Sequence, residues 1–321
     1  MRDIAIEESA GAIRVADQAG RTEVDDAPLT ATTWKEKLAA YFALTKPRII
    51  ELLLVTTVPA MIVAQGGMPR LSLIGWTLLG GALSAGGAGA INCYFDRDID
   101  GMMARTRKRP LPAHKVEPRS AVIFGATLGL LSFLLMWATI NLLSAALTLG
   151  ALLFYVFVYT VGMKRATPQN IVIGGAAGAV PVVVGWSAVT GTVDLAALAM
   201  FAIIFYWTPP HFWALALRYE RDYANAGVPM MPVVYGKNET AKHILLYSIL
   251  LFAMCLAFFS VARMGLIYLG SALVLNAIFI SFAVRLHRKP ELRLAWGLFR
   301  FSIYYLGLLF GSMALDRLVL S

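Results

Sequence analysis

Nine stretches of about 20 mostly apolar residues, each long enough for a helix to cross a bilayer, govern what this chain can fold into. They lie near 49–66, 72–95, 119–138, 141–162, 169–189, 194–217, 243–262, 266–285 and 297–316. Every hydrophobic run has helical length and none alternates over ten-residue strands, which excludes a β-barrel. Only 15% of the 321 residues are charged, against roughly 25% in soluble domains. The expected class is an all-α polytopic membrane protein.

The net charge of +9 would suggest nucleic acid in a soluble protein, but its distribution reports topology instead. With the N-terminus in the cytoplasm, all of the 28 Lys and Arg residues except Arg70, Arg263 and Arg317 lie on the cytoplasmic side. This is a strong positive-inside bias and leaves no call for a nucleic-acid partner. Eight of the 19 acidic residues fall in residues 1–36. That segment has no apolar core for a signal peptide and too much acid for a transit peptide. Residues 1–40 are expected to form a mobile cytoplasmic tail, and 41–321 a nine-helix body in a bacterial inner membrane.

Past residue 36 only 11 acidic residues remain, so their placement is informative. Asp96, Asp98 and Asp100 crowd the cytoplasmic end of the second stretch. On a helix, Asn92, Asp96 and Asp100 recur every four residues and share a face with about 40° of drift per step, while Asp98 points away. Two carboxylates and an amide oxygen are hard donors suited to Mg²⁺, which takes one or two carboxylates together with substrate phosphates. The loop that follows, Arg105-Thr106-Arg107-Lys108-Arg109-Pro110, is densely cationic. Metal on one side and Arg or Lys on the other is what an organic diphosphate requires. Acid and base clusters beside membranes also serve as solvated loop charge. The one-face spacing, the Gly80–Gly89 run of small residues leading in and a second acidic helix end favour chemistry.

That second end carries Arg218, Glu220 and Asp222 after the sixth stretch. Phe95-Asp96-Arg97-Asp98-Ile99 aligns without gaps to Tyr219-Glu220-Arg221-Asp222-Tyr223, suggesting two similar helix ends facing one cavity. His211, Leu215, Arg218 and Asp222 would share a helix face, with Trp207-Thr208-Pro209-Pro210 disturbing the helix before them. For His211 two readings stand: a buried histidine satisfied by a neighbour, or a substrate contact. Lys46 with Arg48, and Lys164 with Arg165, are either snorkelling anchors or positive charge at the mouth of the site. Cys93 and Cys255 lack a CxxC partner, so packing is the default.

These residues resemble the UbiA-type superfamily of intramembrane prenyltransferases. The superfamily feature is Asn92-Cys93-Tyr94-Phe95-Asp96-Arg97-Asp98-Ile99-Asp100, the first Asn-x3-Asp-x3-Asp motif. Within it the chain is similar to the haem-modifying branch, through Leu44-Thr45-Lys46-Pro47-Arg48, Arg105-Thr106 with Arg109-Pro110-Leu111, Tyr159-Thr160 to Asn170-Ile171, Gly174 to Ala179, Trp207 to Trp213, and Asp222-Tyr223 to Met231-Pro232. A second paired-aspartate motif is missing, since Ala226 stands four residues beyond Asp222; this departure favours haem over quinone acceptors.

The resemblance implies nine helices around a central cavity, with farnesyl diphosphate as donor and haem B as acceptor. It implies Mg²⁺ at Asn92, Asp96 and Asp100, with Glu220 or Asp222 opposite. Lys46, Arg48, Arg105, Arg109, Lys164, Arg165 and Arg218 would share the diphosphate charge. His211 and Trp213 would face the haem, with Tyr94, Tyr155, Tyr159 and Trp186 as further walls. Haem A synthase or oxidase assembly factors are the implied protein partners. Two other readings stay open: the same transfer to another aromatic acceptor, and a transporter, although transporters hold functional charge near the membrane midplane rather than at helix ends.

Overall fold

The computed structural model describes residues 29–30 and 33–320, apart from the side chains of 48–50, 52–54 and 320. Most of the expected tail, and the side chain of Arg48, lie outside the described residues. The boundary drawn at residue 40 falls inside a helix, α1 (Trp34–Leu44), whose start is a reciprocal capping box: Glu36 N–H donates to Thr33 Oγ1 and Thr33 N–H to the Glu36 carboxylate. A Thr-x-x-Glu box of this kind satisfies two of the amide donors that a helix start leaves open. At 11 residues, α1 is too short and too polar to register as a span.

The membrane body follows as α2 (Pro47–Gln65), α3 (Leu71–Phe95), the short α4 (Arg97–Met102), α5 (Pro118–Thr139), α6 (Leu142–Leu153) and α7 (Asn170–Thr190). It continues with α8 (Leu195–Arg218), the short α9 (Glu220–Asn225), α10 (Met231–Val261), α11 (Leu266–Arg288) and α12 (Leu292–Leu320). Among the described residues eight helical segments are long and apolar enough to cross a membrane, and Val55–Gln65 within α2 adds a shorter apolar stretch. Consecutive long helices pack in chain order, and α12 returns against α2 to close a ring.

Two spans differ from a plain α-helix. After Leu153 the fourth continues as a π-helix, Phe154–Met163. In the seventh, α10 begins at Met231 and bends at Gly236, whose φ of 76° is left-handed. Lys237, Glu239 and Lys242 dilute the apolar signal there, so the sequence reading started this span only at 243.

Small residues set how closely the helices approach. A Cβ added to Gly87 on α3 would stand 2.5 Å from the Gly125 carbonyl oxygen on α5, and one on Gly125 would stand 2.7 Å from the Gly87 oxygen. Backbone meets backbone at this crossing, as membrane helices require when no hydrophobic effect drives them together. Ser132 Oγ–H adds a 2.7 Å bond to the Gly80 carbonyl. We expect Gly87→Ala to lower stability by about 1–3 kcal/mol through overpacking, outweighing the roughly 1 kcal/mol that alanine gains over glycine in a helix. Thermal unfolding in detergent measures this.

At the opposite end from the acidic motifs, Asp316 is buried and accepts from the Gly265 and Tyr268 amides at 2.6 and 3.0 Å, holding the start of α11. Between α10, α11 and α12, Tyr305 Oη–H donates to Asn276 Oδ1 at 3.0 Å and Tyr268 Oη–H to the Cys255 carbonyl at 2.9 Å. Cys255 is fully buried in that network, in keeping with a packing role.

Candidate active site

The two acidic helix ends are built alike. Helix α3 stops at Phe95, Asp96 sits in the break at φ −93° and ψ 0°, and six-residue α4 follows. Helix α8 stops at Arg218, Tyr219 sits in the break, and six-residue α9 follows. Ile99 and Met103 of the first end pack in one apolar cluster with Ala216, Tyr223, Ala226 and Val228 of the second. Arg105 spans them, its guanidinium 5.5 Å from the Tyr219 ring and 3.4 Å from Tyr223 Oη. The short sequence echo is thus a structural one, with the break displaced by one residue.

Asn92, Asp96 and Asp100 are almost wholly buried, at 2%, 1% and 0% exposure. Each is held by a different cation. Lys46 donates to Asn92 Oδ1. Lys164 reaches Asp96 Oδ2 at 2.5 Å, and Arg109 meets both oxygens of Asp100 at 2.8 and 2.7 Å. Lys46 occupies the left-handed region, φ 53°, as the residue before Pro47 at the head of α2; strain of this kind gathers at working sites. Burial by itself would push Lys164 and Arg109 down in pKa. Asp96 and Asp100 respectively offset that, and both cations end above their ordinary values.

Asp98, whose spacing points it away from the other three, has a cation of its own. Arg165 holds it as a fork, Nη1 to Oδ2 at 2.7 Å and Nη2 to Oδ1 at 2.6 Å, and Nη2 also reaches the Phe95 carbonyl at 2.8 Å. Planar Arg–carboxylate pairing of this type fixes orientation as well as charge. It pins the break between α3 and α4.

The π-helix supplies the opposite wall. Its register appears in the 2.8 Å bond from Lys164 N–H to the Tyr159 carbonyl and the 2.9 Å bond from Thr160 Oγ–H to the Tyr155 carbonyl, both five residues back. Tyr155 and Tyr159 lie with ring centroids 5.2 Å apart. Gly174 on α7 makes room for Tyr159: a Cβ there would fall 2.2 Å from the ring. The signals in sequence were the paired Gly174-Gly175 and one threonine, Thr160, in an otherwise apolar run, and neither announces a change of helical register.

The remaining expected residues sit farther from this cluster. Because α8 ends at Arg218, the face drawn through His211, Leu215 and Arg218 does not continue as helix to Asp222. His211 Nδ1 pairs with Ser302 Oγ of α12 at 2.6 Å and the ring stacks on Trp207 at 4.4 Å. Trp213 is fully buried, edge-on to Tyr247 and His243 of α10, and its indole N–H has no hydrogen-bond partner. Arg218 lies 4.4 Å over the Trp296 ring. Glu220 stands 3.5 Å from Lys237, and Asp222 is half-buried at the start of α9. Among the described residues no three His, Cys, Asp or Glu side chains converge as a ready metal cluster. Asp96, Asp98, Asp100 and Glu220 each have a cation beside them, and Asp96 Oδ1 alone among their oxygens is buried with no hydrogen-bond partner.

This arrangement of helices has counterparts among known proteins. A model of the UbiA prenyltransferase family matches residues 53–306, and the chain belongs to that family. It is 52% identical over 288 residues to a protoheme IX farnesyltransferase of Parafrankia sp., covering 88% of this chain and 92% of the relative. It is 49% identical over 287 residues to a protoheme IX farnesyltransferase of Chloroflexus aurantiacus, covering 89% of this chain but only 49% of that longer relative. Among solved structures, a UbiA homolog from Archaeoglobus fulgidus bound to DMAPP and Mg²⁺ superimposes with a TM-score of 0.62 at 19% identity, over 85% of this chain and 98% of that one. That likeness establishes the fold.

Proposed function

We propose that this chain is a protoheme IX farnesyltransferase, moving the farnesyl group of farnesyl diphosphate onto a vinyl group of haem B to give haem O. The carrying observation is the Asp96 cluster: a buried carboxylate with one unpartnered oxygen, closely ringed by Lys164, Lys46 and Arg109. The names of the relatives supply donor and acceptor.

The residues fit a magnesium diphosphate. Asp96 Oδ1 is a hard, buried and unsatisfied donor, and Asn92 and Asp100 flank it; Asp222 and Glu220 would complete the second side. Mg²⁺ bound there would neutralise the charge that develops on the departing diphosphate. Lys164, Lys46 and Arg109 hold positive charge beside the same point, and Arg48, Arg105, Arg165 and Arg218 are assigned a share of the diphosphate charge.

The allylic C–O bond breaks and its electron pair leaves with diphosphate. The vinyl π electrons then form the new carbon–carbon bond to the farnesyl C1. Water adds to the resulting cation beside the porphyrin ring and gives up a proton, leaving a hydroxyethylfarnesyl substituent. Tyr155 and Tyr159 form an aromatic wall that shields the allylic cation from bulk water. His211 and Trp213 are assigned to the acceptor side, on the span that leads into the second acidic helix end.

Catalysis is assigned to the helical body of residues 41–321, in a bacterial inner membrane with the N-terminus cytoplasmic, following the bias in Lys and Arg. A haem A synthase or oxidase assembly factor is the proposed recipient of the product. Acceptor competition tests the reading: with haem B and 4-hydroxybenzoate at equal concentration, labelled farnesyl should appear on haem. Label on the phenol with haem B returned unchanged would overturn it.

A further inference from the structure

We propose that Thr160 is a positioning residue that locks the Asn92 amide with its oxygen toward the diphosphate seat. The proposal rests on the reading of Asn92 given above. The chain of hydrogen bonds runs one way. Lys46 carries only donors, so the Asn92 atom it meets must be the carbonyl oxygen. The Asn92 Nδ2 then needs an acceptor, and Thr160 Oγ lies 3.0 Å away. The single Thr160 hydroxyl proton is committed to the Tyr155 carbonyl at 2.9 Å, which leaves a lone pair facing the amide. Asn92 and Thr160 are each only 2% exposed, so bulk water does not replace this acceptor.

Thr160 and Lys164 are four residues apart, a spacing that keeps them on one helix face. Five-residue bonds hold that face, from Thr160 Oγ–H to the Tyr155 carbonyl and from Lys164 N–H to the Tyr159 carbonyl. It presents Thr160 to Asn92 and Lys164 to Asp96. Both contacts fall on the Asn-x3-Asp motif of α3. A flipped Asn92 would turn its N–H groups on the Lys46 ammonium and lose its oxygen from the site.

Thr160→Val keeps the β-branched shape and removes the acceptor, whereas Thr160→Ser keeps the hydroxyl. Mn²⁺ binding in the presence of inorganic diphosphate, read by electron paramagnetic resonance, should weaken about 10-fold in T160V and recover in T160S. Steady-state kinetics should show the KM for farnesyl diphosphate rising in parallel while the KM for haem B stays unchanged. Thr160→Ala takes the same reading if valine is not accommodated. Wild-type Mn²⁺ affinity in T160V, equal weakening in T160S, or a parallel rise in the KM for haem B would overturn the assignment. The Mn²⁺ measurement needs no turnover, so it separates failure of this inference from failure of the proposed reaction.

Discussion

Asp96→Asn should lower farnesyl transfer about 1,000-fold, the scale of losing a preorganised electrostatic group at the point where charge develops. The substitution preserves volume and removes the negative charge and the buried free oxygen together. It leaves Lys164 an amide oxygen to donate to but no counter-charge, yet that side chain is 14% exposed and lies at the end of its helix, where a lysine can extend toward water. The variant should therefore insert and purify as a folded protein. Initial rates at saturating Mg²⁺, paired with size-exclusion profiles, check this; near-wild-type turnover in a folded variant would remove Asp96 from the diphosphate seat.

The second large effect is expected from the other member of that pair. Lys164→Met leaves the Asp96 carboxylate, 1% exposed, without a cation. Removing one partner of a buried ion pair costs about 3–5 kcal/mol, because a desolvated charge is stranded. Turnover should fall about 100-fold as well, since the same ammonium faces the leaving group. Thermal unfolding and kcat/KM measured on one preparation separate the two losses. Lys164→Arg, which keeps the charge but not the compact ammonium, should recover most of the stability and less of the rate, since Asp96 and the diphosphate are met here by a point charge.

The two outcomes together distinguish a working site from solvated loop charge. In a merely structural cluster, Asp96→Asn would relieve a costly buried charge with little consequence for chemistry. In the site described, the pairing of acids and bases is a holding arrangement: each carboxylate keeps a cation near the position the diphosphate takes. Metal and diphosphate then exchange partners with groups already in place.

Much of this was legible in the sequence because bilayer physics leaves few options. Apolar runs of helical length became helices, and the scarcity of acids past residue 36 pointed to the two helix ends that the structure joins. The reading of Asn92, Asp96 and Asp100 as neighbours was sound even though the helix breaks at Asp96, because the amides of Asp96 and Asp100 still reach back four residues, at 3.0 and 2.8 Å. What the sequence did not disclose depends on partners distant along the chain. Arg165 as the partner of Asp98, and the Trp296 ring beneath Arg218, are far along the chain and cannot be read from local spacing. The π-helix was hidden because its ten residues are as apolar as any α-helical span. Hydrophobicity records length and burial, and a change from four-residue to five-residue bonding leaves both almost unaltered. Helix α1 was missed for the opposite reason, since its capping box is a local signal that a search for spans passes over.

The most direct test of the account is the mass of the porphyrin recovered after purified protein is incubated with farnesyl diphosphate, Mg²⁺ and haem B. The expected result is haem heavier by one farnesyl group and one hydroxyl, with diphosphate released in equal amount and both products absent when the metal is chelated. Haem B recovered unchanged from a folded protein that still releases diphosphate, or transfer that proceeds undiminished under chelation, would contradict it.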